Sequence, residues 1–517
     1  MHKKNTPKLV IGIQLITVVL VMLLSTSLMA ATVYLPKTGQ TTCYDANGSV
    51  IDCAGTGQDG DTQTGMSWPD PRFTDNGNGA MTDNLTGLMW TQSGEVAGAG
   101  QFKTWQQALD FVAGMNAGTN ANYGYTDWRL PNIVEIMSLS NKGVSSLTDW
   151  LSEQGFTNVY PFKNWTSTTL AGSPDNPYFN FTANAYIFNV ASDHAWVSEK
   201  TASAYLWPVR AGQQNSVDYN YSSNVWKTGQ TSCYDSSGNA IDCTGTGQDG
   251  ELQWGVAWPD PRLTDNGDGT LTDNLTGLTW MKDLTGPGEM TWQQGLDYAA
   301  QLNNIAYLGR TSWQVPNATQ LLSLMEFSGE NLLPNALGFA ETQSLKDQGF
   351  FTSLPEVTWG ATSFMYFNSQ RNAETFNFRC NSIGFRLELN KLDTAYVVAV
   401  AVPPEPNIAV SPLSHDFGDI SVGSEAILAL AVVITNVGNA TLTLGWPFMG
   451  FLDRDDSFVK VSSTCGEITN LAPGESCEVR VQFRPTTAGY HENYLRITSN
   501  DPDTPSVMVT LTGRGTD

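Results

Sequence analysis

Four aspartates recur at an offset of 190 residues, and a pair of such carboxylates could act as the acid and the base in hydrolysis of a glycoside. Each one lies beside Gly, Asn or Pro, where a carboxylate commonly accepts the hydrogen bonds of a tight turn. We therefore interpret them as turn residues, and a carbohydrate-active enzyme is the most distant of the functions considered. The recurring pairs are Asp59/Asp249, Asp70/Asp260, Asp75/Asp265 and Asp83/Asp273.

Nucleophilic catalysis needs a base beside the nucleophile, and histidine is too scarce for that role. One half of the duplicated region contains His194 alone, and the other half contains no histidine. A Ser-His-Asp or Cys-His set therefore cannot be present in both halves. We predict that the protein is not an enzyme.

The acidic turns also raise the question of a metal site. Asp265-Asn-Gly-Asp268-Gly is similar to a calcium loop, but it lacks the order Asp-x-Asp-x-Asp-Gly. In the first half of the duplication, Asn78 stands where the second half has Asp268. The sequence requires no cofactor, and calcium stays an alternative.

Six of the seven cysteines fall into local pairs, and Cys380 is left over. The turns Asn47-Gly48 and Ser237-Gly238 lie midway in the first two pairs, so a short hairpin would bring each pair of Cβ atoms within bridging distance. We interpret Cys380 as a buried, unreactive thiol. Disulfides are expected in an oxidising compartment. The predicted disulfides are Cys43–Cys53, Cys233–Cys243 and Cys465–Cys477.

The N-terminal residues and the composition indicate an exported protein. Lys3, Lys4 and Lys8 precede an apolar run over 9–24 and then small residues, which is the order of a secretory signal, assigned here to 1–30. An uncleaved anchor is the alternative. We expect no membrane span after signal removal and a location that is extracellular, at the cell surface or in the periplasm. The net charge of −24, without a basic stripe, argues against nucleic acid as a partner.

The sequence contains an internal duplication. Lys37-Thr-Gly-Gln-Thr-Thr-Cys43 returns as Lys227-Thr-Gly-Gln-Thr-Ser-Cys233, and the offset continues without a gap to Trp90 and Trp280. The dense Gly, Asn and Asp of this part predict short strands joined by tight turns. Two amphipathic helices and then short aromatic strands follow, so each copy is predicted to be α+β. The predicted N-caps of the helices are Thr104 and Asn132 in the first copy, and Thr291 and Asn317 in the second.

Several motifs of the copies carry a family resemblance. They are residues 264–280, Trp128-Arg-Leu-Pro131, Trp165-Thr-Ser-Thr168 and Val209-Arg210. Together they resemble the Lcl C-terminal domain family of bacterial surface proteins, over residues 34–212 and 225–392. The resemblance implies a C-type-lectin-like fold in each copy, with ligand contacts in the last strands and loops. The second copy departs from the motif, with Gln314 in place of the arginine and Ile-Gly-Phe-Arg386 at its close.

The C-terminal part has a different sequence pattern. Residues 407–517 show alternating strands broken by Gly and Pro, which predicts an all-β sandwich. Asp416-Phe-Gly-Asp419, Phe483-Arg-Pro485 and residues 471–477 resemble immunoglobulin-like modules of the choice-of-anchor D or ASH type, which implies a spacer or an attachment role. Residues 393–406, which end in Pro403-Pro404-Glu405-Pro406, are predicted to be a linker.

The aromatic strands that close each copy are the predicted ligand surface. Tryptophans that recur in both copies are interpreted as core, whereas unmatched Tyr, Trp, Arg and Asn suit a binding surface. We expect a surface glycan or protein, of another cell or of the envelope, as the ligand. A structural envelope or adhesin component without a specific small ligand is the alternative. The predicted binding residues are Tyr178, Asn180, Asn184, Tyr186, Asn189, His194 and Trp196, and then Tyr366, Asn368, Arg371, Asn372, Asn377 and Arg379.

Overall fold

The computed structural model describes most of the chain after the predicted signal. No helix in the described part is long and apolar enough to cross a membrane. The predicted signal at 1–30 and Cys380 lie outside the described residues. The described residues are 33–96, 102–170, 181–211, 225–283, 288–325, 327, 357–363, 372–377, 387–424, 429–438, 440–445, 450–451, 456–466, 469–501 and 504–517.

The first copy consists of small β-sheets and short helices. Both predicted N-caps are confirmed as capping boxes, because Thr104 and Asn132 accept hydrogen bonds from the backbone of the third helical residue. Strands β3, β4, β5 and β9 form one sheet, and β6, β7 and β8 form another. The elements are β1 (Cys43–Tyr44), β2 (Val50–Ile51), α1 (Asp59–Thr62), β3 (Phe73–Asp75), β4 (Ala80–Asp83), β5 (Leu88–Thr91), α2 (Trp105–Asn116), α3 (Ile133–Met137), α4 (Leu147–Glu153), β6 (Lys163–Thr169), β7 (Asn184–Asn189), β8 (His194–Glu199) and β9 (Val209–Ala211).

The second copy repeats this order. Its helices also begin at capping boxes, on Thr291 and Asn317. Strands β12, β13, β14, β21 and β16 form one sheet, and β15, β20, β17, β18 and β19 form another. The elements are β10 (Cys233–Tyr234), β11 (Ala240–Ile241), α5 (Asp249–Leu252), β12 (Leu263–Asp265), β13 (Thr270–Asp273), β14 (Thr279–Met281), β15 (Glu289–Thr291), α6 (Trp292–Asn304), β16 (Trp313–Gln314), α7 (Ala318–Ser323), β17 (Val357–Ser363), β18 (Asn372–Asn377), β19 (Leu387–Asn390), β20 (Thr394–Tyr396) and β21 (Val400–Ala401).

The second copy extends further than the predicted boundary at 392. Residues 393–406 were expected to be a linker, but β20 pairs with β15, and β21 pairs with β14 as β9 pairs with β5. The physical reason is the apolar run from Val397 to Val400, which is at most 1% exposed and fills the core of this copy. The linker is therefore shorter than predicted.

The three predicted disulfides are confirmed. Cys43 is bonded to Cys53, and Cys233 to Cys243, each across ten residues. The third bond joins Cys465 to Cys477 in the C-terminal domain. Disulfides persist in oxidising compartments, so the three bonds indicate a location outside the cytoplasm.

The helix of each stapled segment packs on the other copy of the duplication. We name residues 33–66 the first stapled segment and 67–211 the first body; residues 225–256 are the second stapled segment and 257–401 the second body. Helix α1 of the first segment packs on β17 of the second body, and α5 of the second segment packs on β6 of the first body. The two copies therefore exchange their stapled segments within one chain.

The exchange is accompanied by a shared core. One hydrophobic cluster contains Trp90 and Phe188 of the first body together with Trp280 and Leu321 of the second, all less than 1% exposed. Tyr186 meets Phe327 of the second body edge to face, with ring centroids 5.5 Å apart. The tandem is thus one packed unit rather than two separate heads.

The C-terminal domain is an immunoglobulin-like β-domain. Sheet β22-β24-β29-β27 and sheet β23-β31-β30-β26 enclose a core that includes Val432, Val479, Phe483 and Leu511. Alternation of buried and exposed residues along β29 and β30 places one face of each strand in this core. The strands are β22 (Ile408–Ser411), β23 (Ser414–Ser421), β24 (Leu430–Asn436), β25 (Leu442–Leu444), β26 (Gly450–Phe451), β27 (Phe458–Ser463), β28 (Thr469–Leu471), β29 (Ser476–Phe483), β30 (Gly489–Thr498) and β31 (Ser506–Thr516).

Candidate ligand-binding surface

Two of the recurring aspartates are the buried partners of arginines. Arg72 donates from Nε and Nη2 to the two carboxylate oxygens of Asp83, at 2.7 and 3.0 Å. Arg262 donates in the same way to Asp273, at 2.6 and 2.8 Å. Both carboxylates are fully buried, and their oxygens also accept turn hydrogen bonds. This pair of aspartates holds the scaffold together in both bodies.

A second pair of aspartates lies where each stapled segment meets the opposite body. Asp59 accepts hydrogen bonds from Thr38 at 2.6 Å and from Thr362 of the second body at 2.8 Å. Asp249 accepts from Thr228 and from Thr168 of the first body, both at 2.7 Å. Burial raises the pKa of Asp249 to about 7, against the lowering effect of the two hydroxyl donors.

The acidic turn considered for calcium has its carboxylates paired with cations. Lys282 contacts Asp265 at 2.6 Å, and Arg310 contacts Asp268 at 2.8 Å. Asp75 and Asp265 also accept the backbone N–H of the glycine two residues on. Across the residues that the structure describes, no group of three or more His, Cys, Asp or Glu side chains is placed to hold a metal ion.

Two lysines are buried beneath the docked segments. Nζ of Lys200 lies 4.1 Å from the ring centroid of Trp105 and donates to the carbonyl of Tyr234 at 3.1 Å. Nζ of Lys391 lies 3.9 Å from the centroid of Trp292 and donates to the carbonyl of Tyr44 at 3.2 Å. Burial lowers the pKa of each lysine to about 7. Each body thus contacts the other copy's hairpin through a desolvated lysine.

The structure corrects the expected position of two predicted binding residues. Tyr186 is 8% exposed and packs against the second body, where burial raises the pKa of its hydroxyl. His194 is 4% exposed, and its ring lies 6.4 Å from that of Trp196. The four central residues of β7 are all buried, as are the first two residues of β8, so neither Tyr186 nor His194 belongs to an accessible surface.

The remaining predicted residues of the first copy lie around the same two strands. Asn184 and Asn189 begin and end β7 and are half-buried, and Asn189 accepts a turn hydrogen bond from the N–H of Ala191. Trp196 on β8 is 42% exposed. Among these residues, Trp196 offers the largest accessible aromatic surface.

The prediction for the second copy falls largely outside the described residues. Asn372 begins β18, where it is half-buried, and Asn377 ends that strand. The structure therefore brings these two to opposite ends of one strand. The predicted residues outside the described part of the chain are Tyr178, Asn180, Tyr366, Asn368, Arg371 and Arg379.

An exposed aromatic cluster on the first body was missed by sequence reasoning. Tyr160 and Phe162 stack on Tyr205, with centroid distances of 4.7 and 5.9 Å and interplanar angles of 17° and 7°. The ring of Phe102 also contacts the ring of Tyr205, with centroids 4.8 Å apart. Phe102 is 56% exposed and Phe162 is 51% exposed, whereas Tyr205 is buried. We name these four residues the aromatic shelf.

The backbone around the shelf is fixed by hydrogen bonds. Lys103 and Ala204 exchange backbone hydrogen bonds of 3.0 Å, and the N–H of Tyr205 donates to the carbonyl of Lys163 at 2.9 Å. The indole of Trp165 adds a bond of 2.8 Å to the carbonyl of Lys103. Three chain segments therefore hold the rings in one arrangement.

Polar groups lie at one side of the shelf. The hydroxyl of Tyr160 donates to Oε2 of Glu95 at 2.7 Å, and this bond raises the pKa of Tyr160. Lys163 is exposed beside Phe162 in the sequence. The shelf thus combines flat apolar faces with a carboxylate.

The second body differs from the shelf at one of the two positions that can be compared among the described residues. Strand pairing matches Lys103 and Ala204 to Met290 and Ala395, which aligns Phe102 with Glu289 and Tyr205 with Tyr396. A sequence signal for the shelf was therefore present, because Phe102 is an aromatic without a counterpart. Phe102 lies before the first of the two predicted helices, outside the closing strands that form the predicted ligand surface.

Comparison with known proteins agrees with a tandem followed by an immunoglobulin-like domain. The Lcl C-terminal domain profile matches residues 79–210 and again 269–401, together just over half of the chain. The profile described as HYDIN/CFA65/VesB-like, Ig-like domain matches 406–514. The chain belongs to the Lcl C-terminal domain family. No curated protein matches the chain.

Solved structures that resemble the chain cover small parts of it. The ASH/PapD-like domain 7 of human CEP192 is 12% identical, covers 23% of this chain and 90% of its own, and has a TM-score of 0.17. The Vibrio cholerae secreted serine protease VesC is 18% identical over 29% of this chain, with a TM-score of 0.17. The Vibrio cholerae VesB protease is 15% identical over 28%, with a TM-score of 0.16. The match spans 37% of VesC and 49% of VesB.

Proposed function

We propose that this protein is a secreted or surface-displayed recognition protein whose first body binds a glycan or a protein ligand on the aromatic shelf. The observation that carries the proposal is the exposure of Phe102 and Phe162, each more than half accessible, on the fixed ring of Tyr205. In this proposal the immunoglobulin-like domain is a spacer that holds the tandem away from its point of attachment.

The shelf has the physical properties of a binding surface. Clustered aromatic side chains exposed to water favour association, because binding a ligand removes their apolar surface from water. Their few rotatable bonds limit the entropy lost on binding, and the hydrogen-bonded backbone preorganises them. Glu95 and the hydroxyl of Tyr160 supply a polar rim that would orient a ligand with hydroxyl or amide groups.

Two of the four recurring pairs of aspartates form structural contacts, which supports binding without catalysis. Asp83 and Asp273 are occupied by arginines, and Asp59 and Asp249 by threonine hydroxyls. We therefore propose no hydrolytic activity. We further propose that each body has a C-type-lectin-like fold, which the family resemblance and the order of two helices before the closing strands support.

The two bodies are not equivalent in this proposal. Glu289 stands where the first body has Phe102, so the second body presents a carboxylate instead of a ring. Two different surfaces on one rigid tandem would give two specificities rather than avidity for one repeated ligand. The first body is the one to which we assign the glycan or protein ligand.

Glycan and protein arrays probed with the full exported chain test the proposal. We expect saturable binding that Phe102→Ala together with Phe162→Ala reduces at least tenfold, because exposed aromatic anchors carry much of a contact. Trp196→Ala is the matched control, since it removes an exposed ring outside the shelf. Absence of saturable binding by the wild-type chain would favour the structural envelope component. Binding that survives the double substitution but not Trp196→Ala would move the site to β8.

A further inference from the structure

The second body contains a complete acceptor for the first stapled segment. Ser363 and Gln40 form a two-way pair: the N–H of Ser363 donates to the side-chain carbonyl of Gln40 at 2.8 Å, and the amide of Gln40 donates back at 2.9 Å. Thr362 donates to Asp59, and Asn317 donates to the carbonyl of Thr64 at 3.0 Å. The second body thus recognises the side chains of Gln40 and Asp59 and the backbone of Thr64 in the first stapled segment.

The first body makes the same contacts with the second segment. Thr169 and Gln230 form the same two-way pair, at 2.9 and 2.8 Å. Thr168 donates to Asp249, and Asn132 donates to the carbonyl of Trp254 at 3.1 Å. Because Lys37-Thr-Gly-Gln and Lys227-Thr-Gly-Gln are identical, each acceptor recognises features that both segments carry.

The connections of the two segments differ. The second segment follows the first body in the chain, so its docking there joins neighbours in sequence. The first segment docks on the body that is encoded last, and residues 67–72, with Pro69 and Pro71, lead away from it to the first body. The first segment also contacts its own body, where the N–H of Lys142 donates to the carbonyl of Thr38 at 2.8 Å and the amide of Gln40 donates to the carbonyl of Lys142 at 3.3 Å.

We propose that the second body also binds the first stapled segment of another copy of the chain, so that copies of the protein link by exchange of residues 33–66. The contacts would be those already made within one chain, so the choice between closed and linked forms depends on protein concentration and on the effective concentration of the tethered segment. The partner is a second copy, and the contact is head to tail.

Complementation of two defective full-length chains tests the proposal. The donor-defective chain carries Asp59→Leu with Gln40→Ala and keeps its acceptor, and the acceptor-defective chain carries Thr362→Val with Asn317→Ala and keeps its donor. We expect native mass spectrometry of an equimolar mixture to show the mixed dimer at least tenfold above either homodimer. The matched control mixes the donor-defective chain with wild type, whose own segment occupies its acceptor, and it should yield less mixed dimer.

Isotope-labelled wild-type protein keeps the test decisive if a variant fails to fold. Light and heavy wild-type chains, incubated together at high concentration, should form dimers of mixed isotope content, and Cys43 and Cys53 should remain bonded. A complementation mixture of folded variants that contains monomers alone would overturn the proposal. If the variants do not fold, absence of mixed-isotope dimers in the wild-type mixture would overturn it instead.

Discussion

Beneath the segment that docks on it, the first body has a pair of charged side chains, whereas the second body has a pair of neutral ones. In the first body, Arg129 forms a buried ion pair with Glu135, and the ring of Trp254 covers its guanidinium at 4.4 Å. In the second body, Gln314 and Gln320 take these places and share a hydrogen bond of 3.0 Å. A buried ion pair is kept or replaced as a unit, because one member alone would leave an uncompensated charge.

The substitution to glutamine preserves the local geometry. Glu135 accepts the N–H of Asn132 at 2.8 Å, and Gln320 accepts that of Asn317 at 2.9 Å, so both helices keep their capping boxes. Gln314 also accepts a hydrogen bond of 2.8 Å from Thr64 of the docked segment. The departure of Gln314 from the family motif thus has its explanation in residue 320, six positions later.

The largest effect should come from breaking the ion pair on one side. Glu135→Gln leaves Arg129 buried without its carboxylate, and we expect a loss of about 3–5 kcal/mol in the free energy of unfolding. Adding Arg129→Gln reproduces the pair of the second body and should restore most of the loss. Urea unfolding followed by tryptophan fluorescence measures both. A double variant no more stable than the single one would contradict the equivalence of the two pairs.

The pH dependence of the free energy of unfolding should reveal the buried carboxyl group of Asp249, which lies where the second stapled segment meets the first body. The pKa of Asp249 is raised to about 7 in the folded protein, so between its unfolded value and about 7 the folded state binds more protons than the unfolded state. Its contribution to stability is therefore full at low pH and is lost as pH rises towards 7, with a slope of at most about 1.4 kcal/mol per pH unit.

Asp249→Asn is the variant that isolates this slope. The amide retains an acceptor for Thr168 and Thr228, and it does not titrate. Unfolding free energies from pH 4 to pH 7 should be flatter in the variant than in the wild type. An unchanged slope would place the titrating group elsewhere.

The disulfides should have equal effects in the two stapled segments. Each closes a loop with a separation of ten residues, so replacing Cys43 and Cys53 by Ser should cost about 2–3 kcal/mol. The same replacement of Cys233 and Cys243 should cost the same amount, because loop length and surroundings match. Thermal unfolding of both variants checks this. A difference of more than about 1 kcal/mol would show that the segments dock with unequal strength.

The smallest effect on stability is expected at the shelf. Phe102→Glu gives the first body the residue of the second, and Phe102 is 56% exposed, so the free energy of unfolding should change by less than about 0.5 kcal/mol. Ligand binding should nevertheless be lost. A fall in stability comparable to that of Glu135→Gln would make Phe102 a core residue rather than a binding residue.

Local features of this molecule could be read from the sequence. The disulfides follow from the spacing of cysteines around turns, and the helix starts follow from Thr104, Asn132, Thr291 and Asn317. The duplication itself follows from identical motifs. Each of these depends on residues a few positions apart, where spacing determines which groups can meet.

The exchange of segments could not be predicted in this way. Asp59 and Asp249 lie in matching motifs, and Thr168 and Thr362, which donate to them, are equivalent residues of the two bodies, so the pattern fits pairing within a copy as well as between copies. The shelf was missed for a different reason. Its rings come from three separate segments, and the burial of Tyr186 and His194 depends on packing that alternation along one strand does not assign to a face.

Double-mutant cycles on the free energy of unfolding test the exchange most directly. Asp59→Leu combined with Thr362→Val, and Asp249→Leu combined with Thr168→Val, should each show a coupling energy of about 1–3 kcal/mol, because each pair shares a buried hydrogen bond that either single substitution removes. Asp59 with Thr168, and Asp249 with Thr362, should show couplings within about 0.5 kcal/mol of zero. Strong coupling in the second set and none in the first would contradict the exchange of stapled segments.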